Sequence, residues 1–193
     1  MLENLQQYNI VLASSSPRRK ELLQRLGVPF KVRTLFGIDE TYPATLKHVE
    51  IAKYLSERKA TGYRRSMLSN DLIICADTIV CLEQKVLGKP RSLEEAKEML
   101  HALSGKWHEV HTGVTVFSEE KSESFTVTSR VKFSELTDEE INYYVDNYLP
   151  LDKAGAYGIQ DWIGIVSVEE IEGSYFNVVG LPMQRLYRVL KDF

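Results

Sequence analysis

Apolar and polar positions alternate along this chain between strand-like and helix-like spacing. Ile10 to Ala13 is a short apolar run of strand type. Ser16 then suits an N-cap, Pro17 the first helical position, and Gly27 follows the last apolar turn as a stop. Phe30 to Arg33 alternates like a strand, and Val49 to Tyr63 carries Ile51, Ala52, Leu55 and Ala60 at helical spacing. Leu72 to Ala76 reads as a continuous apolar strand ending at Asp77. Ser92 to Glu95 forms a capping box whose helix runs through Ala96, Met99, Leu100 and Leu103 to Gly105. His108 to Phe117 and Ser124 to Leu136 alternate, with the polar segment Glu119 to Ser122 between them as a turn. A second capping box at Thr137 to Glu140 opens a helix ending near Tyr148, before Pro150. Ile163 to Ile171 is predicted as a strand and Pro182 to Leu190 as a final helix. The expected fold is mixed α/β, a central sheet flanked by helices, with part of the sheet antiparallel.

Composition narrows the class. With 193 residues and 44% hydrophobic content, the chain can bury a core without disulfides or a structural metal. One domain over residues 1–193 is expected, with room for two lobes. The formal net charge is −3 and no long basic block occurs, which argues against nucleic acid as a partner. Cys75 and Cys81 lie in apolar sequence without metal-type spacing and read as buried thiols of a reducing compartment. Met1 to Tyr8 lacks the apolar centre of a signal peptide, and no apolar run is long enough to span a bilayer. A cytoplasmic protein with no membrane partner is the expectation.

Three segments carry candidate chemistry. In the first, Ser14, Ser16, Arg18 and Arg19 surround a helix N-terminus, where unpaired N–H groups and the helix dipole favour an anion. Cations are disfavoured there, so two arginines in the first turn point to a phosphate that neutralises them. An ordinary capped helix with solvated arginines fits the same residues. In the second segment, Asp77 follows an apolar strand, where α/β sheets commonly place ligands, and can hold a divalent metal or orient water. It can equally cap a turn. Lys89 follows on a Gly/Pro-stiffened loop, either as a site lysine or as a solvated one. The third segment, Leu151 to Gln160, has small residues that permit close backbone approach, Asp152 and Lys153, and a Gln160 amide suited to a base edge. A tight loop with an Asp152–Lys153 surface pair explains it as well. Ser174 and Asn177 fit either ligand contact or turn chemistry. Among the histidines, His108 and His111 are three apart on a predicted strand and so face opposite sides, which argues against a histidine metal site.

Together these motifs resemble the Maf family of nucleoside triphosphate pyrophosphatases. The matching pieces, in the family's order, are Ser14-Ser-Ser-Pro-Arg-Arg-Lys-Glu-Leu-Leu23, Asp39-Glu40 with Pro43, Glu57-Arg-Lys-Ala60 and Ala76-Asp-Thr-Ile-Val80. Gly88-Lys-Pro90, Ser104-Gly105 with His111-Thr-Gly-Val114, Asp152 to Gln160 and Gly173 to Pro182 follow. The resemblance runs from about residue 9 to about residue 190, and the ordered set is far more specific than any one piece. It implies an elongated α/β fold with a deep cleft between two lobes, similar to inosine triphosphate pyrophosphatases, and commonly a homodimer. It implies hydrolysis of a nucleoside triphosphate between the α and β phosphates with Mg²⁺ or Mn²⁺.

Residue by residue, Asp77 matches the general base, and Glu40, Lys59 and Lys89 match charged positions of the cleft. Ser14 and Arg19 match its phosphate-binding mouth, with Ser16 and Lys153 inside matching segments. Arg18, Thr78 and Gln160 match positions that separate substrate branches, and Ser-Pro-Arg-Arg with Ala-Tyr-Gly-Ile-Gln resembles the dTTP/UTP branch. The branch acting on 7-methyl-GTP carries Trp after Ser-Pro instead. Residue 161 is Asp where glycine often follows this glutamine, which implies a different loop there. The chemistry is coherent on these residues: Asp77 and Glu40 for the metal, Asp77 for the proton of water, basic groups for the triphosphate. Gln160 would meet the O4–N3 edge shared by thymine and uracil. A 7-methyl-GTP pyrophosphatase and a non-catalytic regulator of septum formation are the alternatives, the second disfavoured because Glu40, Lys59, Asp77 and Lys89 are all present.

Overall fold

The computed structural model describes residues 2–35 and 37–193; Met1, the first residue of the polar N-terminal stretch, lies outside them. A seven-stranded mixed sheet is flanked by helices. Its strands are β1 (Asn9–Leu12), β2 (Lys31–Val32), β3 (Asp71–Leu82), β4 (Lys85–Leu87), β5 (Trp107–Phe117), β6 (Ser122–Phe133) and β7 (Val168–Glu172). They run in the order β2-β1-β3-β5-β6-β7, with β4 paired to β3. β1 pairs parallel with β2 and β3, whereas β4 on β3 and β7 on β6 are antiparallel. The helices are α1 (Pro17–Gln24), α2 (His48–Arg64), α3 (Leu93–Leu103), α4 (Asp138–Tyr148), α5 (Trp162–Ser167), α6 (Tyr175–Val179) and α7 (Met183–Lys191). Among the described residues no helix is long and apolar enough to cross a membrane.

The chain divides into two compact units. The first comprises Met1–Asp77, Thr112–Val127 and Gly180–Phe193. In it, Ala60 and Tyr63 of α2 pack on Val11, Ala13, Ile73, Cys75 and Phe117. Two polar contacts fix where α2 lies: Ser56 Oγ meets Thr115 Oγ1 at 2.8 Å, and Tyr63 O–H donates to the Arg33 carbonyl at 2.8 Å. One turn before Ser56 the helix backbone approaches β5 so closely that a methyl group on Gly113 would overlap the Ala52 carbonyl and the Lys53 nitrogen.

The second unit comprises Thr78–His111 and Thr128–Val179. Its core joins Leu100 and Leu103 of α3, Tyr144 and Val145 of α4, and Phe133 and Tyr157. His108 sits among them, edge-on to Phe133 and Tyr157, with Nε2 2.8 Å from the Tyr157 hydroxyl. Burial pushes its imidazole down to about 4, from 6.5. The neutral form is therefore the native one, so its stability contribution is full above pH 6.5 and is lost as pH falls toward 4. That loss amounts to about 3 kcal/mol at most. His108→Gln should flatten the fall of Tm between pH 7 and 4.5, read by circular dichroism.

Three expectations are corrected. β3 does not end at Asp77; it continues to Leu82, because Thr78 to Leu82 is itself strand-forming sequence and its last residues pair with β4. Ile163 to Ile171 is not one strand: α5 occupies Trp162–Ser167 before β7. A tight turn, Asp161 N–H to the Gly158 carbonyl at 2.9 Å, feeds directly into Gly164 N–H on the Asp161 carbonyl at 3.0 Å. Ile163 and Ser167 then face inward one helical turn apart, overriding the β-branched run. Finally, the Ser92 hydroxyl caps Glu95 N–H as expected, but the Glu95 carboxylate accepts from Arg91 N–H, so the reciprocal box is incomplete.

Candidate active site

The serine–arginine segment lies where β1 meets α1. Ser16 caps the helix through Arg19 N–H at 3.4 Å, with Pro17 in the first helical position. Ser14 Oγ accepts from Ser16 N–H at 3.2 Å and from Arg19 Nη1 at 3.4 Å. Each serine oxygen is thus occupied as an acceptor, and its O–H proton is the function left to offer an anion. Arg18 is half-buried in the same turn. Arg19 reaches inward: Nε donates to the Gly180 carbonyl at 2.7 Å and Nη1 to the Ala76 carbonyl at 2.9 Å. Burial lowers its pKa and Asp77 partly offsets that, while the guanidinium remains a cation. Two of its three nitrogens therefore hold backbone, one of them the carbonyl immediately before Asp77.

Asp77 and Cys75 share a face of β3, because strand side chains alternate. That face is covered by α2, and Lys59, next to the buried Ala60, projects along it. Lys59 Nζ hydrogen-bonds to Asp77 Oδ1 and lies 2.9 Å from Glu40 Oε1. Burial alone would lower the Lys59 ammonium; Asp77, by charge and hydrogen bond, outweighs it with help from Glu40 and holds the group above the ordinary lysine value. Next to this pair, Arg58 Nη2 binds Asp39 Oδ2 at 2.9 Å. Consecutive cations on α2 thereby engage consecutive carboxylates of the preceding loop. Lys59, Asp77 and Glu40 form one constellation within the first unit.

The remaining sequence-selected residues lie in the second unit. Thr78 is half-buried beside Asp77 in the chain and faces the opposite side of β3. Lys89 is exposed two residues beyond β4. Lys153 Nζ contacts Asp152 Oδ1 at 2.7 Å and lies 3.8 Å from Asp161 Oδ2. Gln160 is exposed, and its Nε2 donates to Asp161 Oδ1 at 3.1 Å. Ser174 and Asn177 serve the fold. The buried Asn177 amide donates to the Val110 carbonyl and Ser129 Oγ, which also accepts from Ser174 N–H. Sequence reasoning missed the part played by Tyr144, whose hydroxyl binds Asp161, and by Gly180, which receives Arg19; neither has a local signal, since each partner lies far along the chain.

Asp77 and Glu40 both contact one ammonium, so two carboxylates converge on a cationic position. Among the described residues no group of three or more His, Cys, Asp or Glu gathers. That set suits Mg²⁺ or Mn²⁺, which bind through one or two carboxylates and take their remaining oxygens from phosphates and water.

Known proteins match this chain over nearly its whole length. The dTTP/UTP pyrophosphatase of Phocaeicola vulgatus is 56% identical over 191 residues, covering 99% of each chain. That of Parabacteroides distasonis is 53% identical over the whole of both chains. Among solved structures, a HAM1 protein from Coxiella burnetii is 15% identical with a TM-score of 0.48, covering 96% of this chain and 100% of its own. A family model described as Maf-like protein matches residues 9–193, the span that holds every residue of the constellation, and the chain accordingly belongs to the Maf family.

Proposed function

We propose that this protein hydrolyses dTTP and UTP at the α–β phosphate bond, giving the nucleoside monophosphate and pyrophosphate. The likeness to relatives of that name over nearly the full length of both chains carries the proposal. The Lys59–Asp77–Glu40 constellation supplies the chemistry. Lys59 anchors Asp77 Oδ1, so Oδ2 is the oxygen that takes the proton of the attacking water. The water oxygen bonds to the α-phosphorus as the bond to the bridging oxygen breaks, and pyrophosphate leaves with that oxygen. Asp77 and Glu40 are the residues to hold a divalent cation, which when bound offsets triphosphate charge and polarises the α-phosphorus. Ser14, Ser16, Arg18, Arg19 and the α1 N-terminus bind phosphate oxygens, and Lys89 and Lys153 add positive charge.

Gln160 pairs with the O4–N3 edge of thymine or uracil. One methyl in a pocket is worth only about 1–3 kcal/mol, so both bases are accepted. The same reading has the enzyme in the cytoplasm as a homodimer, consistent with its two buried free thiols. The test is pyrophosphate release from a nucleotide panel with Mg²⁺ or Mn²⁺. Turnover of dTTP and UTP, abolished by a chelator and restored by metal, is expected. Preference for 7-methyl-GTP would move the chain to the other branch, and no turnover of any nucleotide would leave the regulator.

A further inference from the structure

We propose that Asp161 fixes which way round the Gln160 amide meets a pyrimidine, and that this makes the enzyme prefer uracil and thymine to cytosine. The inference rests on the reading of Gln160 as the residue that contacts the base. A carboxylate only accepts hydrogen bonds, so the Gln160 end that meets Asp161 Oδ1 at 3.1 Å has to be the NH₂. Flipping the amide would set Oε1 against Oδ1, two acceptors with no proton between them.

The carboxylate is itself held. Its Oδ2 accepts from the Tyr144 hydroxyl at 2.9 Å, and that hydroxyl accepts from Gly158 N–H at 3.1 Å, so its one proton is committed to Asp161. Burial, then the Asp161 charge, push the Tyr144 phenol well above its ordinary pKa, and it stays a donor. Lys153 Nζ lies 3.8 Å from the same Oδ2. From the other side, a methyl group at Gly158 would fall 2.5 Å from Asp161 Oδ2 and 2.8 Å from Gln160 Nε2, so bare backbone packs against both side chains. Asp161 cannot swing away without breaking the Tyr144 bond.

The consequence lies in the pattern of the bases. Thymine and uracil show a donor at N3–H beside an acceptor at O4; cytosine shows an acceptor at N3 beside a donor at N4. An amide covers either pattern, but in opposite orientations. With Nε2 held toward Asp161, Oε1 accepts from N3–H and the second N–H of Nε2 reaches O4. Cytosine in the same pose opposes donor to donor and acceptor to acceptor.

The experiment is kcat/KM for UTP and CTP in the wild type, Asp161→Asn, Tyr144→Phe and Gln160→Ala. A ratio measured on one protein sample is insensitive to the fraction folded. Asp161→Asn can offer either a donor or an acceptor, so the amide turns and the UTP preference should fall about tenfold, the worth of one mispaired hydrogen bond. Tyr144→Phe should lower it by a smaller factor. If Gln160→Ala changes the ratio while Asp161→Asn and Tyr144→Phe keep the wild-type value, the inference is wrong and the base-reading role of Gln160 stands. If Gln160→Ala leaves the ratio unchanged, both fall.

Discussion

Asp77→Asn is expected to lower kcat for dTTP about 10³-fold, within the range that a positioned base contributes, while KM changes only a few-fold. The KM expectation follows from the α1 groups proposed to bind phosphate, which the substitution leaves in place. The fold should survive as well, since asparagine keeps a carbonyl oxygen for the Lys59 ammonium and the cost is about 1 kcal/mol. Steady-state pyrophosphate release measures the first effect, and urea denaturation the second.

A separate signature lies at high pH. Asp77 and Glu40 raise Lys59 above the unfolded value of 10.5, so the stabilisation from its ion pairs is full below that pH and is lost as pH rises through the folded value. The stability gap between wild type and Asp77→Asn should therefore stay constant to about pH 10 and close above it. Full activity in the variant would transfer the role of base to another group, Glu40 being the nearest carboxylate on Lys59.

The second large effect is on stability and comes from a residue with no side chain. Gly113→Ala would place a methyl group inside the Ala52 carbonyl, and neither the helix backbone nor the strand can turn aside as a side chain can. Relief requires α2 to lift from β5, stretching the Ser56–Thr115 contact. Overpacking of this kind costs about 3 kcal/mol, which lowers Tm by about 6–12 °C for a chain of this length. Lys59 lies on the same helix, two turns beyond Ala52, so the lifted helix would also carry the ammonium away from Asp77. Activity at temperatures well below the new Tm should fall by about tenfold. A Gly113→Ala protein with the wild-type Tm would show that the approach of α2 to β5 is looser than described.

These expectations separate what local sequence encodes from what packing adds. The start of α1 was legible because Ser16, Pro17 and the preceding apolar run act within a few residues, and the structure keeps that cap. The Thr137 box is likewise local and reciprocal, with Thr137 and Glu140 each bonding the other's backbone. Asp77 is legible as a site candidate, but its setting is not. A polar residue suggests the end of a strand, whereas Ile79, Val80 and Cys81 continue the burial beyond it. α5 was not legible at all, since Ile163, Ile165 and Val166 favour a strand and only the turn closed by Gly158 and Asp161 makes them helical. Nor did spacing show that Lys59, 18 residues before Asp77, lies against it. That contact depends on how α2 rests on the sheet, and hence on the missing side chain of Gly113.

The bond from Arg19 to the Gly180 carbonyl joins residues 161 positions apart in the chain. During synthesis, β1, α1, α2 and the first half of β3 emerge early, but the first unit lacks its third segment until residues 180–193 follow. Closing so long a loop is slow compared with forming the turns and helices inside it. Arg19, which holds the Ala76 carbonyl just before Asp77, therefore gains its bond to Gly180 only after the whole second unit has left the ribosome. A nascent chain stalled within that second unit would carry Glu40, Lys59 and Asp77 and still lack the bond from Arg19 to Gly180.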